Sequence, residues 1–101
     1  MKKKRIGPIH PGEFLRLDFL EPLEMSQYRL AQELKVSQVR ISEIVRGKRS
    51  ITADTALRLA RFFGNSARFW MGIQEHYDLD VAQTEIGARL EREIQPLKRS
   101  A

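Results

Sequence analysis

From residue 10 onward, apolar residues recur every three or four positions, and the runs are punctuated by proline, glycine and small hydroxyl residues. That period places apolar side chains on one face of a helix, so the pattern predicts a series of short amphipathic helices. Pro11 suits a first helical position, Glu13 favours the positive end, and Leu15 and Phe19 lie one turn apart; this predicts a first helix from Pro11 to Leu20, stopped by Pro22. Ser26 is a good N-cap for a second helix, Gln27 to Leu34, with Leu30, Ala31 and Leu34 on one face. After Lys35 and Val36, Ser37 caps a third helix that turns Ile41, Ile44 and Val45 inward and Gln38, Arg40, Glu43 and Arg46 outward, until Gly47 ends it. Thr52 is expected to cap a fourth, with Ala53, Ala56, Leu57, Ala60 and Phe63 at helical spacing up to Gly64. Ser66 opens a fifth, in which Phe69, Trp70, Ile73 and Tyr77 form one stripe and read as core aromatics. From Val81 the pattern thins to Ile86, Leu90 and Ile94, a narrow stripe on a weak helix that ends at Pro96.

Runs of alternating polarity are missing, so the fold class is all-α. With 101 residues there is room for one core. The organisation expected is a basic arm at 1–9, a helical domain at 10–79 and a C-terminal helix at 80–97. The arm's Lys2, Lys3, Lys4 and Arg5 fit either a solvated tail or a segment that tracks a phosphate backbone or groove.

Composition removes several function classes. The chain has no cysteine, which rules out disulfides, thiolate metal sites and cysteine nucleophiles. His10 and His76 lie far apart and outside any metal-ligand spacing, so no metal or other cofactor is expected. Asp78, Asp80 and Glu85 accompany no nucleophile, base spacing or phosphate loop, which argues against an enzyme. No run approaches the roughly 18 apolar residues of a membrane span, and Ile6 to Pro11 stands where a signal peptide would need an apolar stretch. A cytoplasmic location is expected.

Charge sharpens the picture. The net charge is +5, and all of it lies in the first half, where residues 1–50 carry eleven Lys and Arg against six Asp and Glu. The second half carries seven of each. A basic half built around two short helices and a tight turn fits a DNA-reading motif, in which the first helix braces on the backbone and the second enters the major groove. Gln38 has the chemistry to pair with adenine, Arg40 with guanine, Val39 with a thymine methyl and Glu43 with a cytosine amino group. Arg46, Lys48 and Arg49 supply positive charge for phosphates, although a helix C-terminus favours a cation such as Arg46 in any case.

Two stretches, Ser26-Gln27-Tyr28-Arg29-Leu30-Ala31 and Ser37-Gln38-Val39-Arg40-Ile41-Ser42-Glu43-Ile44-Val45-Arg46-Gly47-Lys48, resemble the phage-repressor-like helix-turn-helix domains. The resemblance implies base-edge contacts from Gln38, Val39 and Glu43, and Arg40 and Ser42 join them as candidates on the same helix. It also implies phosphate contacts from Gln27 and from the Gly-Lys region with Arg46, Lys48 and Arg49, and Ser37 is a further candidate there. Lys35 departs from it, since many relatives have glycine in the turn. Ile9-His10-Pro11-Gly12-Glu13, Arg40 to Thr52, and Phe69-Trp70-Met71 with Gln74 and Tyr77 are similar to the HigA-type antitoxins, over about residues 8 to 97. That resemblance implies a five-helix phage-repressor-like domain with an additional C-terminal helix. It further implies a protein that binds double-stranded operator DNA, neutralises a RelE-class (HigB-like) toxin and represses its own operon. A stand-alone transcriptional repressor without a toxin is the alternative. Repressors of this kind bind as homodimers on half-sites about 34 Å apart. Ile86, Leu90 and Ile94 are the candidate seam for a second subunit or a toxin, unless they fold back on the chain's own core.

Overall fold

The structure is a computed structural model that describes residues 7–98; the basic residues Lys2 to Arg5 lie outside the described residues. Among the described residues it is entirely helical. The first helix, α1 (Pro11–Phe14), is capped by His10, whose Nδ1 accepts from the Gly12 amide at 2.9 Å. It continues directly into a π-helical stretch, Leu15–Leu20, where the sequence predicted uninterrupted α-helix. The reason is packing. Leu15 and Leu20, five residues apart, are both buried, and in an α-helix they would point about 140° apart. The five-residue register of a π-turn turns both inward.

Helices α2 (Gln27–Leu34) and α3 (Gln38–Val45) have the predicted limits, and α4 (Ala53–Phe63) ends at Gly64 in the left-handed conformation. Thr52 occupies the N-cap position of α4, but its side chain makes no cap hydrogen bond, contrary to expectation. The fifth predicted helix and the C-terminal helix are one continuous element, α5 (Ala67–Glu93), with no break near residue 80.

The core joins Leu15, Leu30, Ile41, Ile44, Ala56 and Leu59 around Trp70, each fully buried. Trp70 packs on Phe19 with ring centroids 4.9 Å apart, and its indole N–H donates to Asn65 Oδ1 at 2.8 Å. Such aromatic pairs add about 0.5–1.5 kcal/mol beyond their buried area. Some positions of the predicted apolar stripes lie at the surface instead: Ala53 and Leu57 on α4 are exposed, Leu57 by 63%, and Phe69, although its ring meets Trp70 edge-on, is 41% exposed. Leu57 sits on the flank of α4, where it lines an open cleft shared with Glu33 and Leu34 of α2. Gly12 is buried, because α1 crosses the end of α3 so closely that a Cβ there would stand 1.8 Å from the carbonyl oxygen of Ile44.

The far half of α5 carries Ile86, half-buried, and Leu90 and Ile94, which are exposed; the stripe does not fold back on the core beyond Ile86. None of the described helices is long and apolar enough to cross a membrane.

Candidate nucleic-acid interface

The geometry of α2, turn and α3 follows from local chemistry. Ser26 Oγ accepts from the Arg29 amide at 3.0 Å, and Ser37 Oγ accepts from the Arg40 amide at 3.1 Å, so each helix starts where a hydroxyl satisfies a free N–H. Between them Lys35 takes the left-handed conformation, φ 60° and ψ 42°, and the Val36 amide reaches back to the Ala31 carbonyl at 3.0 Å. A lysine thus does what glycine does in many such turns, at some conformational strain. Ala31, buried and small, lets the two helices approach.

On α3, Ile41 and Ile44 are fully buried, and Gln38, Val39, Ser42, Glu43 and Arg46 together line a shallow depression on the opposite side. Val39 is 61% exposed, an apolar group that the described residues leave in water. These five residues share the outward face the sequence assigned to them. Arg40 does not join them. Its guanidinium turns to the flank and donates to Asp54 Oδ2 at 2.8 Å and to Thr55 Oγ1 at 3.4 Å, both on α4. Glu43, in turn, accepts from Arg49 Nη2 at 2.6 Å, so a carboxylate expected to face bases and a cation expected to face phosphates neutralise each other in the free protein.

The loop after α3 is held from three sides. Gly47 adopts φ 76° and donates to the Ile44 carbonyl at 3.0 Å, and the Lys48 amide donates to the Glu43 carbonyl at 2.8 Å; Arg46 and Lys48 then project into solvent. The His10 ring lies beneath Gly47, hydrogen-bonds the backbone of Arg49 and meets Tyr77 edge-on at 4.9 Å. Burial holds its pKa below the ordinary imidazole value, against the opposing pull of Asp78 and of the Arg49 hydrogen bond. The buried Ile51 amide donates to Gln74 Oε1 at 2.7 Å, and Gln74 Nε2 donates to Asp78 Oδ1 at 2.9 Å. Gln27 stands at the first turn of α2, half-buried, and Ser37 is exposed with its hydroxyl hydrogen still available to donate outward.

His10, Gly12, Gln74 and Asp54 support this surface without having been assigned a site role from sequence. Gly12 left a signal, because a glycine inside a predicted helix marks either a weak point or a close approach. His10 and Gln74 appeared only within the family resemblance, because the groups they reach across to, Tyr77 and the Ile51 amide, are remote in sequence and no local spacing marks them. No group of three or more His, Asp or Glu side chains able to hold a metal is present among the described residues.

Two short capped helices, a tight turn and a solvent-facing polar surface on the second helix define a helix-turn-helix protein. A helix-turn-helix family model matches residues 18–70. Virulence-associated protein I of Dichelobacter nodosus is 51% identical over 82% of this chain and 77% of its own length. Antitoxin HigA-1 of Vibrio cholerae is 35% identical over 78% of this chain and 74% of its own length. The solved structure of Pseudomonas aeruginosa antitoxin HigA with higBA promoter superposes with a TM-score of 0.88 at 48% identity, covering 90% of this chain and 99% of that one. The chain belongs to the helix-turn-helix family and, within it, to the HigA antitoxins.

Proposed function

We propose that this protein binds operator DNA as a sequence-specific homodimeric repressor, neutralises a cognate RelE-class toxin and represses the operon that encodes both. The observation that carries the DNA reading is the outward face of α3. Gln38, Val39, Ser42 and Glu43 line that side of the helix, Glu43 paired there with Arg49, while Ile41 and Ile44 fix the other side in the core. Those side chains offer an amide pair, an apolar contact, a hydroxyl and a carboxylate, a set suited to reading base edges in the major groove. Arg46 and Lys48 stand beside them at the end of the helix, where cations neutralise phosphates and fix register without reading sequence. Gln27 and Ser37 flank the same surface from the two helix starts and add neutral donors for the backbone.

Dimerisation places two such surfaces about one DNA turn, roughly 34 Å, apart. The exposed Leu90 and Ile94 on the far half of α5, with Ile86 behind them, supply an apolar seam for a second subunit or for the toxin. The protein acts by binding, with no cofactor, in the cytoplasm where its DNA lies.

Viable counts after induction of the neighbouring small gene test the antitoxin half of this reading. Co-expression of this chain from a separate promoter is expected to rescue the growth arrest. A neighbour that is harmless, or that kills regardless, would leave a repressor without a toxin.

A further inference from the structure

Asp54 lies in the first turn of α4 and accepts hydrogen bonds from two arginines at one oxygen, Arg40 Nη1 at 2.8 Å and Arg58 Nε at 3.0 Å. Arg58 is itself fixed, since its Nη1 donates to the Leu34 carbonyl at the end of α2 at 2.8 Å. Thr55, 2% exposed, gives the Arg40 guanidinium a second acceptor. The carboxylate therefore ties the recognition helix to α4 and, through Arg58, to the end of α2. Both guanidinium groups hold the Asp54 carboxyl below its ordinary pKa, so the group carries its full charge at neutral pH.

The cleft these residues line runs between α3, the Ser50–Thr52 loop and the start of α4, and brings Arg40, Arg49 and Arg58 together. Three arginines on the flank of a DNA-reading helix would, if free, bind the phosphates of any duplex. Asp54 among them lowers that attraction. Specificity is a difference between two affinities, and a group that weakens the sequence-independent one raises it as surely as a new base contact.

We infer that Asp54 is a specificity-determining positioning residue: it holds Arg40 against α4, keeps that guanidinium off the phosphate backbone, and so suppresses binding to non-operator DNA. This rests on the DNA-binding function proposed above. A charge-assisted hydrogen bond of this geometry is short and directional, and releasing Arg40 requires giving up that bond together with the contact to Thr55. A phosphate alone must compete with both. On the operator Arg40 spends its remaining N–H groups on a guanine edge, so an Arg40 freed from Asp54 adds a phosphate contact on non-operator DNA alone.

The test is fluorescence anisotropy of the full chain on two duplexes of equal length, the DNA upstream of its own gene and a scrambled sequence, across a salt series. The variants are Asp54→Asn, Asp54→Glu, and Asp54→Asn combined with Arg40→Ala, each checked for a wild-type helical spectrum. Asp54→Asn is expected to bind the scrambled duplex roughly five- to tenfold more tightly at 0.1 M salt. Its slope of log K against log salt should steepen by about 0.9, the value for one added phosphate contact. The ratio of operator to scrambled affinity should fall accordingly. Asp54→Glu should restore weak scrambled binding, and removing Arg40 in the Asn background should return the slope to that of wild type. Wild-type slope and scrambled affinity in Asp54→Asn would overturn the inference while leaving the DNA reading in place. So would a steeper slope that survives the loss of Arg40, since that would be a general charge effect. Failure of the wild-type chain to bind either duplex would overturn the DNA reading and this inference together.

Discussion

Replacing Gly12 by alanine adds a single methyl group where α1 crosses the end of α3. Its Cβ would stand 1.8 Å from the Ile44 carbonyl oxygen and 2.9 Å from the Val45 Cα, where ordinary contact begins near 3.4 Å. Relief requires α1 to retreat from α3 by about 1.6 Å, because the obstacle is backbone and has no rotamer to change. That retreat pulls the start of α1, with the Leu15 that follows it, away from Ile41 and Ile44. Overpacking of well-packed cores costs about 1–3 kcal/mol, and a backbone obstacle puts this case at about 3 kcal/mol or above. For a chain of this size each kcal/mol shifts the melting temperature by about 4–8 °C, so a fall of at least about 12 °C is expected. The Ile44 carbonyl also accepts from the Gly47 amide, which makes the loop bearing Lys48 the first part of the DNA surface to be disturbed. Circular dichroism melts and urea titrations of wild type and Gly12→Ala, at one protein concentration to hold any dimer linkage constant, measure this directly. A variant within about 1 kcal/mol of wild type would refute the packing reasoning, because no rearrangement smaller than the retreat of α1 removes the clash.

Three further outcomes follow from other parts of the surface. Lys48→Ala should weaken binding to operator and scrambled duplexes alike and reduce the salt slope by about 1, and a loss confined to one sequence would contradict its role as a phosphate contact. Gln74→Leu removes the acceptor of the buried Ile51 amide at nearly constant volume and should cost about 1–3 kcal/mol in urea titration; an unchanged midpoint would mean that water or another group replaces it. His10 has a folded-state pKa below its ordinary 6.5, so the unfolded chain binds more protons as pH falls through that value. The stability contributed by the neutral ring is therefore complete above pH 6.5 and is lost on acidification toward the lowered value, and the loss should be absent in His10→Asn, which keeps a cap acceptor.

The sequence was most informative where local chemistry governs. The serine caps and the glycine stops placed α2, α3 and the end of α4 correctly, because each signal lies within four residues of what it controls. Gln38, Glu43 and Arg46 were legible as outward for the same reason, since helical period separates them from Ile41 and Ile44, whereas Val39 and Ser42 entered through base chemistry and the family resemblance. What failed was set by tertiary partners. The π-stretch at Leu15–Leu20 exists because two leucines must both reach the core, and α5 runs on through a thin stripe because helix propensity needs no apolar face to continue. Arg40 looked like a base reader facing outward, and only the approach of α4 brings Asp54 to it across fourteen positions of sequence. Glu43 and Arg49 were read as opposites in role, and the fold makes them a pair. The sequence-local half of the site was thus visible, and the electrostatic wiring that restrains it was not.

Whether α3 reads base edges is decided by titrating the duplex upstream of this gene with wild type and Gln38→Ala at a fixed salt concentration. Wild type should bind that duplex well above a scrambled one. The variant should lose about 1–3 kcal/mol on the operator alone, with its affinity for the scrambled duplex unchanged. Equal operator affinity for the two proteins would show that Gln38 does not face a base and would contradict the docking of α3 in the groove.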